Sequence, residues 1–129
     1  MKEIALQTRS HDELINITGQ VQQSVSEAKI GDGICTVFVP HTTAGVTINE
    51  NADPDVQRDL IAGLGRIAPE DSDYRHSEGN SPGHIKSSLV GVSLQVPIRG
   101  GRLALGQWQG IYFCEFDGPR SRRFLVDAR

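Results

Sequence analysis

Val37-Phe38-Val39-Pro40-His41-Thr42-Thr43-Ala44-Gly45-Val46-Thr47-Ile48-Asn49-Glu50 is the stretch that decides how this chain reads. A β-branched apolar run stops at a proline, which has no N–H to continue a ladder. A histidine, two hydroxyls and a glycine follow. A second run then begins, in which Val46 and Ile48 alternate with Thr47 and Asn49. Period-two alternation marks a strand with one buried face. The stretch therefore predicts two strands and a polar connection whose groups are held in place by a rigid frame. His41, Thr42, Thr43, Asn49 and Glu50 are expected to form one wall of a site.

Downstream, Asp53-Pro54-Asp55 predicts a helix start: Asp53 caps, Pro54 suits the first turn and Asp55 complements the dipole. Val56, Leu60 and Leu64 are its expected buried stripe and Gly65 its stop. Pro69 to Gly79 is polar and acidic, the one long loop. Ser81-Pro82 starts a short helix that runs to Leu89 and stops at Gly91. The remainder reads as strands. Val92, Leu94, Val96 and Ile98 alternate with polar residues or proline, and Arg99-Gly100-Gly101-Arg102 turns the chain back into Leu103-Ala104-Leu105. Ile111 to Phe116 is a mostly buried strand, Asp117-Gly118-Pro119-Arg120 a turn, and Phe124 to Val126 the last strand.

Upstream, Lys2 to Thr8 and Leu14 to Thr18 read as strands joined by the Arg9-Ser10-His11-Asp12 turn. A helix opens at Thr18-Gly19, carries Val21, Val25 and Ala28 at helical spacing, and ends at Gly31-Asp32-Gly33. Ile34 to Val39 has apolar residues on both faces and is predicted to be covered on both. The order β-β-α-β-β-α-α-β-β-β-β describes an α+β chain with three short helices and mostly antiparallel pairing.

The 129 residues fit one domain, 1–129. They fall far short of the roughly 250 residues of a (β/α)8 barrel. A formal charge of −3 argues against a nucleic-acid partner. No apolar run approaches the roughly 20 residues that span a bilayer, so no membrane partner is expected. The N-terminus resembles no signal peptide, and the expected location is the cytoplasm. Cys35 and Cys114 lie in apolar runs and are predicted to be buried free thiols.

Polar groups that need a reason to sit beside buried strands gather at four places. At the opening stretch, His41 has the chemistry of a proton carrier, a phosphate donor or a metal ligand, with Thr42 and Thr43 positioning it and Glu50 and Asp53 following closely. At the helix start at Ser81-Pro82, His76, Asn80 and His84 surround N–H groups that favour an anion. Gly106-Gln107-Trp108-Gln109-Gly110 predicts a bulge that aims Trp108 and Gln109. Glu115 to Arg120 places a carboxylate at the end of a strand and an arginine just past a tight turn, fit to bind the two ends of a polar ligand, with Arg120 a fixed fork of donors suited to phosphate. His41, His76 and His84 with a carboxylate such as Asp53 also make a candidate site for a divalent ion, Zn or Mg, although no pair has ligand spacing on one helix face.

These motifs, in this order, resemble the YjbQ family, also called the secondary thiamine-phosphate synthase family. The resemblance rests on Pro40-His41-Thr42-Thr43-Ala44-Gly45, Thr47-Ile48-Asn49-Glu50, Asp53-Pro54-Asp55, Asn80-Ser81-Pro82-Gly83-His84, Gly106-Gln107-Trp108-Gln109 and Phe116-Asp117-Gly118-Pro119-Arg120. One departure is that Pro82-Gly83 precedes His84, where the family pattern is Asn-Ala/Ser-x-Ala-His. The resemblance implies a β-sandwich assembled as a homotrimer, with sites near subunit boundaries. It also implies a weak transferase activity that joins an aminopyrimidine diphosphate to a thiazole phosphate with loss of diphosphate. On that reading His41, His84 and Glu50 are the catalytic candidates, and Thr42, Thr43, Asn49, Asn80, Trp108, Gln109 and Arg120 are the substrate-binding ones. Two other readings stay open. One is a metal-assisted hydrolase using His41, His76 and His84, and the other is a non-catalytic trimer that binds a phosphorylated metabolite.

Overall fold

A computed structural model describes residues 1–129. The chain order is β1 (Lys2–Gln7), β2 (Glu13–Asn16), α1 (Thr18–Ala28), β3 (Gly33–Phe38), β4 (Ala44–Glu50), α2 (Pro54–Ile67), α3 (Ser81–Val90), β5 (Ser93–Arg99), β6 (Arg102–Leu103), β7 (Gln109–Glu115) and β8 (Ser121–Ala128). Element types and order are those read from the sequence. Every strand pair is antiparallel. One sheet has five strands in the order β1-β8-β3-β5-β6, and the other has three, β2-β7-β4. No helix is long and apolar enough to cross a membrane.

Alternating side chains of both sheets and the inward stripe of α1 share one core. Ile17, Val21 and Val25 meet Cys35, Val37 and Val39 of the β3 segment, Val46 of β4, Ile111 and Phe113 of β7, and Phe124 and Val126 of β8. Both cysteines are free and buried. Burial pushes the Cys114 thiol up to about 12 and the Cys35 thiol up to about 11, so neither is a nucleophile at neutral pH.

Three expectations need correction. β3 is covered on one face only: Cys35 and Val37 are buried, while Ile34 and Phe38 are exposed on the other face. Its apolar residues on both faces therefore do not mean two covering layers. Helix α2 does not stop at Gly65 but runs to Ile67, and none of its residues is fully buried. Val56, Leu60 and Leu64 are half-buried because α2 lies on the surface, where its packing within the chain is chiefly against β2. Finally, Lys29 rather than a glycine ends α1, in the left-handed region at φ 56°.

The topology sets up the site. Two of the chain's passages between the sheets frame the site: one from the five-stranded sheet to the three-stranded one between β3 and β4, and one back between β7 and β8. Ala44 pairs with Glu115, so the first crossing delivers β4 to the same sheet end from which the second departs. The two polar connections, Val39–Thr43 and Phe116–Arg120, therefore lie together where the sheets part.

Candidate active site

A cavity of about 950 Å³ opens at this parting. Its walls are Val39 to Thr43 from the first crossing, Asp117 and Arg120 from the second, Arg122 from β8, His84, Ser87 and Ser88 from α3, and His76, Glu78 and Asn80 from the segment before α3. Helix α3 is fastened over it: Ser87 Oγ donates to the Ala44 carbonyl at 2.6 Å, and the buried Lys86 Nζ donates to Asp12 Oδ2 at 2.8 Å.

At the back of the cavity lies an ion pair almost wholly withdrawn from water. Glu115 has 0% of its surface exposed and Arg122 has 8%. Arg122 Nε donates to Glu115 Oε1 at 2.9 Å, and Nη2 donates to the second carboxylate oxygen, a bidentate pairing. The remaining lone pairs of Glu115 are met by Thr8 Oγ1 at 2.7 Å and by the N–H groups of Phe116 and Asp117, each at 3.1 Å. Arg122 Nη2 also donates to Thr43 Oγ1 at 2.9 Å, so the pair ties β8, β7 and the His41-Thr42-Thr43 segment into one unit. Burial alone would raise the Glu115 pKa. The hydrogen bonds from Arg122, Thr8 and the Asp117 N–H, with the Arg122 charge, outweigh it and hold the carboxyl below its ordinary 4.5.

His41 stands in front of this pair. Its Nε2 accepts from the Arg123 backbone N–H at 3.1 Å. Burial first, and the Arg122 charge second, hold it below the ordinary 6.5, so the ring is neutral at neutral pH. Across the cavity the His76 and His84 rings meet edge to face, with centroids 5.2 Å apart. Asn80 does not cap α3 with its side chain. Its amide donates to Asp117 Oδ2 at 2.8 Å, while its own Oδ1 is buried and receives no hydrogen bond. Asp117 also holds Arg120, whose Nη2 and Nε donate to the Asp117 carboxylate and carbonyl at 2.9 and 2.8 Å. Two of the five guanidinium N–H donors are thus engaged, and the others remain for a ligand. The Asn80 and Arg120 hydrogen bonds overcome burial and hold the Asp117 pKa below its ordinary 3.8.

Residues 2–129 match the family model described as UPF0047 protein YjbQ-like. The chain belongs to the YjbQ/UPF0047 family. It is 52% identical over 121 residues to UPF0047 protein MJ1081 of Methanocaldococcus jannaschii, covering 94% of this chain and 88% of that protein. It is 50% identical over 127 residues to UPF0047 protein YugU of Bacillus subtilis, covering 98% and 96%. Among solved structures, an uncharacterized conserved protein of the yjbq/upf0047 family from Clostridium acetobutylicum superposes with a TM-score of 0.99 at 53% identity, covering 100% of both chains. A YbjQ-like protein of unknown function from Sulfolobus solfataricus superposes at 0.95 with 32% identity, covering 98% and 94%.

In this YjbQ-family chain the structure brings together His41, Thr42, Thr43, His76, Asn80, His84 and Arg120. It separates Asn49, Glu50, Asp53, Trp108 and Gln109 from them. Glu50 pairs with Gln109 at one end of the β4–β7 ladder, and Ala44 pairs with Glu115 at the cavity end. Six strand steps at about 3.3 Å each put roughly 20 Å between the two ends. The expectation that Asn49 and Glu50 share a wall with His41 is therefore corrected: a strand carries its two ends apart. The distant residues have local work. Asp53 Oδ1 accepts from the Asp55 N–H and caps α2. Gln109 Oε1 accepts from the Gly106 N–H, and Asn49 Oδ1 from the Glu50 N–H. Trp108 is 58% exposed in the turn before β7.

The expected metal donor set is likewise not assembled, because Asp53 is at the far end. The group whose donor atoms lie within 4.8 Å of one another is His11, Asp12 and Glu70, outside the cavity, and Asp12 there already pairs with Lys86. Reading the sequence assigned no site role to Asp117 or Arg122, and it offered Glu115 to a ligand, whereas the carboxylate is fully buried and spent on Arg122. A signal for the buried pair was present. Arg122 is in phase with the inward Phe124 and Val126, and Glu115 closes the apolar run Ile111 to Cys114.

Proposed function

We propose that the cavity binds a small phosphorylated metabolite, and that its chemistry is of the thiamine-phosphate-synthase kind. In that reaction a carbon–nitrogen bond forms between the pyrimidine methylene and the thiazole as the carbon–oxygen bond to diphosphate breaks. Such a displacement asks the protein for charge neutralisation on the leaving group rather than for covalent help. The observation that supports this reading is the convergence of His41, His76, His84 and Arg120 on one cavity beside the start of α3. Because the Arg122 charge is committed to Glu115, anion binding falls to the remaining Arg120 donors, the histidines and the α3 N-terminus. The homotrimer that the family resemblance implies belongs to the same proposal.

Single substitutions His41→Ala, His84→Ala and Arg120→Ala test it. Each should lower transfer activity about tenfold or more, the scale for loss of a charged hydrogen bond in the transition state. Sedimentation of each variant should give the trimer mass with wild-type circular dichroism. Full activity in all three folded variants would sink the proposal. Saturable binding of diphosphate without turnover would replace it with the binding-protein reading.

A further inference from the structure

The position of His41 follows from where a ladder fails. Ile34 and Arg129 exchange both backbone hydrogen bonds, at 2.7 and 3.0 Å. In an antiparallel pair such bonded positions recur at every second residue. The β3–β8 register pairs Thr36 with Asp127 and Phe38 with Leu125, so the next bonded position would set residue 40 opposite Arg123. Residue 40 is a proline. It has no N–H to return, and the chain turns away into the crossing. The Arg123 N–H facing this gap is taken instead by His41 Nε2, at 3.1 Å. The imidazole stands where the strand would have stood.

This bond has a chemical consequence. A backbone N–H is a donor at every working pH and never an acceptor. The nitrogen it faces must keep its lone pair. A neutral ring then carries its proton on the other nitrogen. His41 Nδ1 makes no hydrogen bond within the chain, and the residue lines the cavity. The bond from Arg122 Nη2 to Thr43 Oγ1 holds the segment that carries the ring, and the Arg123 N–H holds the ring itself.

We propose that the Arg123 N–H fixes His41 as its Nδ1–H tautomer, and that His41 serves the cavity as a neutral hydrogen-bond donor to an oxygen of the bound molecule. In this role it is neither a general base nor a metal ligand, since both need a free lone pair on the nitrogen that faces the cavity. No proton leaves the ring: Nδ1–H donates, the ligand oxygen accepts, and charge develops on the ligand alone. The oxygen donor role rests on the phosphate reading above, whereas the tautomer does not.

The test is a long-range 1H–15N spectrum of the full chain labelled with 15N-histidine, at neutral pH and without ligand. His41 is assigned by its loss in His41→Asn. The expected spectrum has a protonated, pyrrole-type Nδ1 and an unprotonated, pyridine-type Nε2. A protonated Nε2 in the folded chain overturns the proposal. Inorganic diphosphate is then added to wild type, His41→Asn and His41→Gln. Asparagine sets an amide N–H near the place of Nδ1, and glutamine near that of Nε2. His41→Asn should bind diphosphate within about threefold of wild type, while His41→Gln should lose about tenfold, the worth of one charged hydrogen bond. The reverse order overturns the donor role. If wild type binds no diphosphate, the phosphate reading fails and the donor role falls with it, while the ligand-free spectrum still decides the tautomer.

Discussion

Glu115 and Arg122 are the residues on which the site is built, although neither presents a free charge to a ligand. Glu115 ends an apolar strand and Arg122 points inward in phase with Phe124 and Val126. Each is tolerated because the other cancels its charge and because Thr8, Thr43 and two backbone N–H groups use up the remaining hydrogen-bonding capacity. Removing one partner leaves a buried charge unpaired. Glu115→Ala should therefore cost about 3–5 kcal/mol in urea unfolding, a large part of a small domain's stability. Glu115→Gln should cost less, since its remaining side-chain oxygen still accepts hydrogen bonds. For His41 the sign runs through its neutral form. Its folded pKa lies below the ordinary 6.5, so its contribution to stability is fully present above that value and is lost as pH falls through the folded pKa. Followed by NMR, the His41 ring protons should titrate below 6.5 in the wild type. A midpoint at or above 6.5 would contradict the burial and Arg122 repulsion seen here.

Elements deliver these residues through a few close contacts that tolerate little change. A methyl group at Gly118 would overlap the Ser10 carbonyl oxygen and stand 2.8 Å from Glu115 Cγ and 2.9 Å from Thr8 Oγ1. Gly118→Ala must displace the second crossing, and a loss of about 1–3 kcal/mol with weakened binding at the cavity is expected, checked by unfolding and by diphosphate titration. Helix α3 depends on Lys86, whose ammonium is buried against Asp12. Lys86→Met keeps the apolar stem but loses a charged hydrogen bond worth about 1.5–3 kcal/mol. It should speed amide exchange in α3 before any other helix. The elements themselves were legible from the sequence because their signals are local: Pro40 ends β3, Asp53-Pro54 opens α2, and the paired glycines at 100 and 101, both at positive φ, turn β5 into β6. Helix ends were less legible. Lys29 in the left-handed region terminates α1 where the glycines further on were expected to, and Gly65 sits inside α2.

At the scale of the molecule, half of the site could be read from the sequence, and the half that could not has a geometric explanation. Residues 41 to 43 and 117 to 122 meet because two crossings between sheets share one end. No local pattern states this; it follows from the pairing of Ala44 with Glu115. The same pairing carries Glu50 away from His41 along the strand, however close the two are in sequence. Where the crossings meet, a fold-wide property results, because the carboxylates that hold them together are among those whose protonation the fold resists. Glu115 and Asp117 both have folded pKa values below their ordinary 4.5 and 3.8. Depressed carboxylate pKa values contribute stability that is fully present above the unfolded values and is lost as pH falls through the folded ones. Urea midpoints should thus ease down below pH 6.5, where unfolded His41 takes up a proton, and fall more steeply below about pH 5, each group adding at most about 1.4 kcal/mol per pH unit. Glu115→Gln removes one of the two groups, so its acid slope should be shallower than that of wild type even though it starts from lower stability. An equal slope in both would place the acid sensitivity elsewhere in the chain, whereas a shallower one would assign part of it to the Glu115–Arg122 pair that bridges the two sheets.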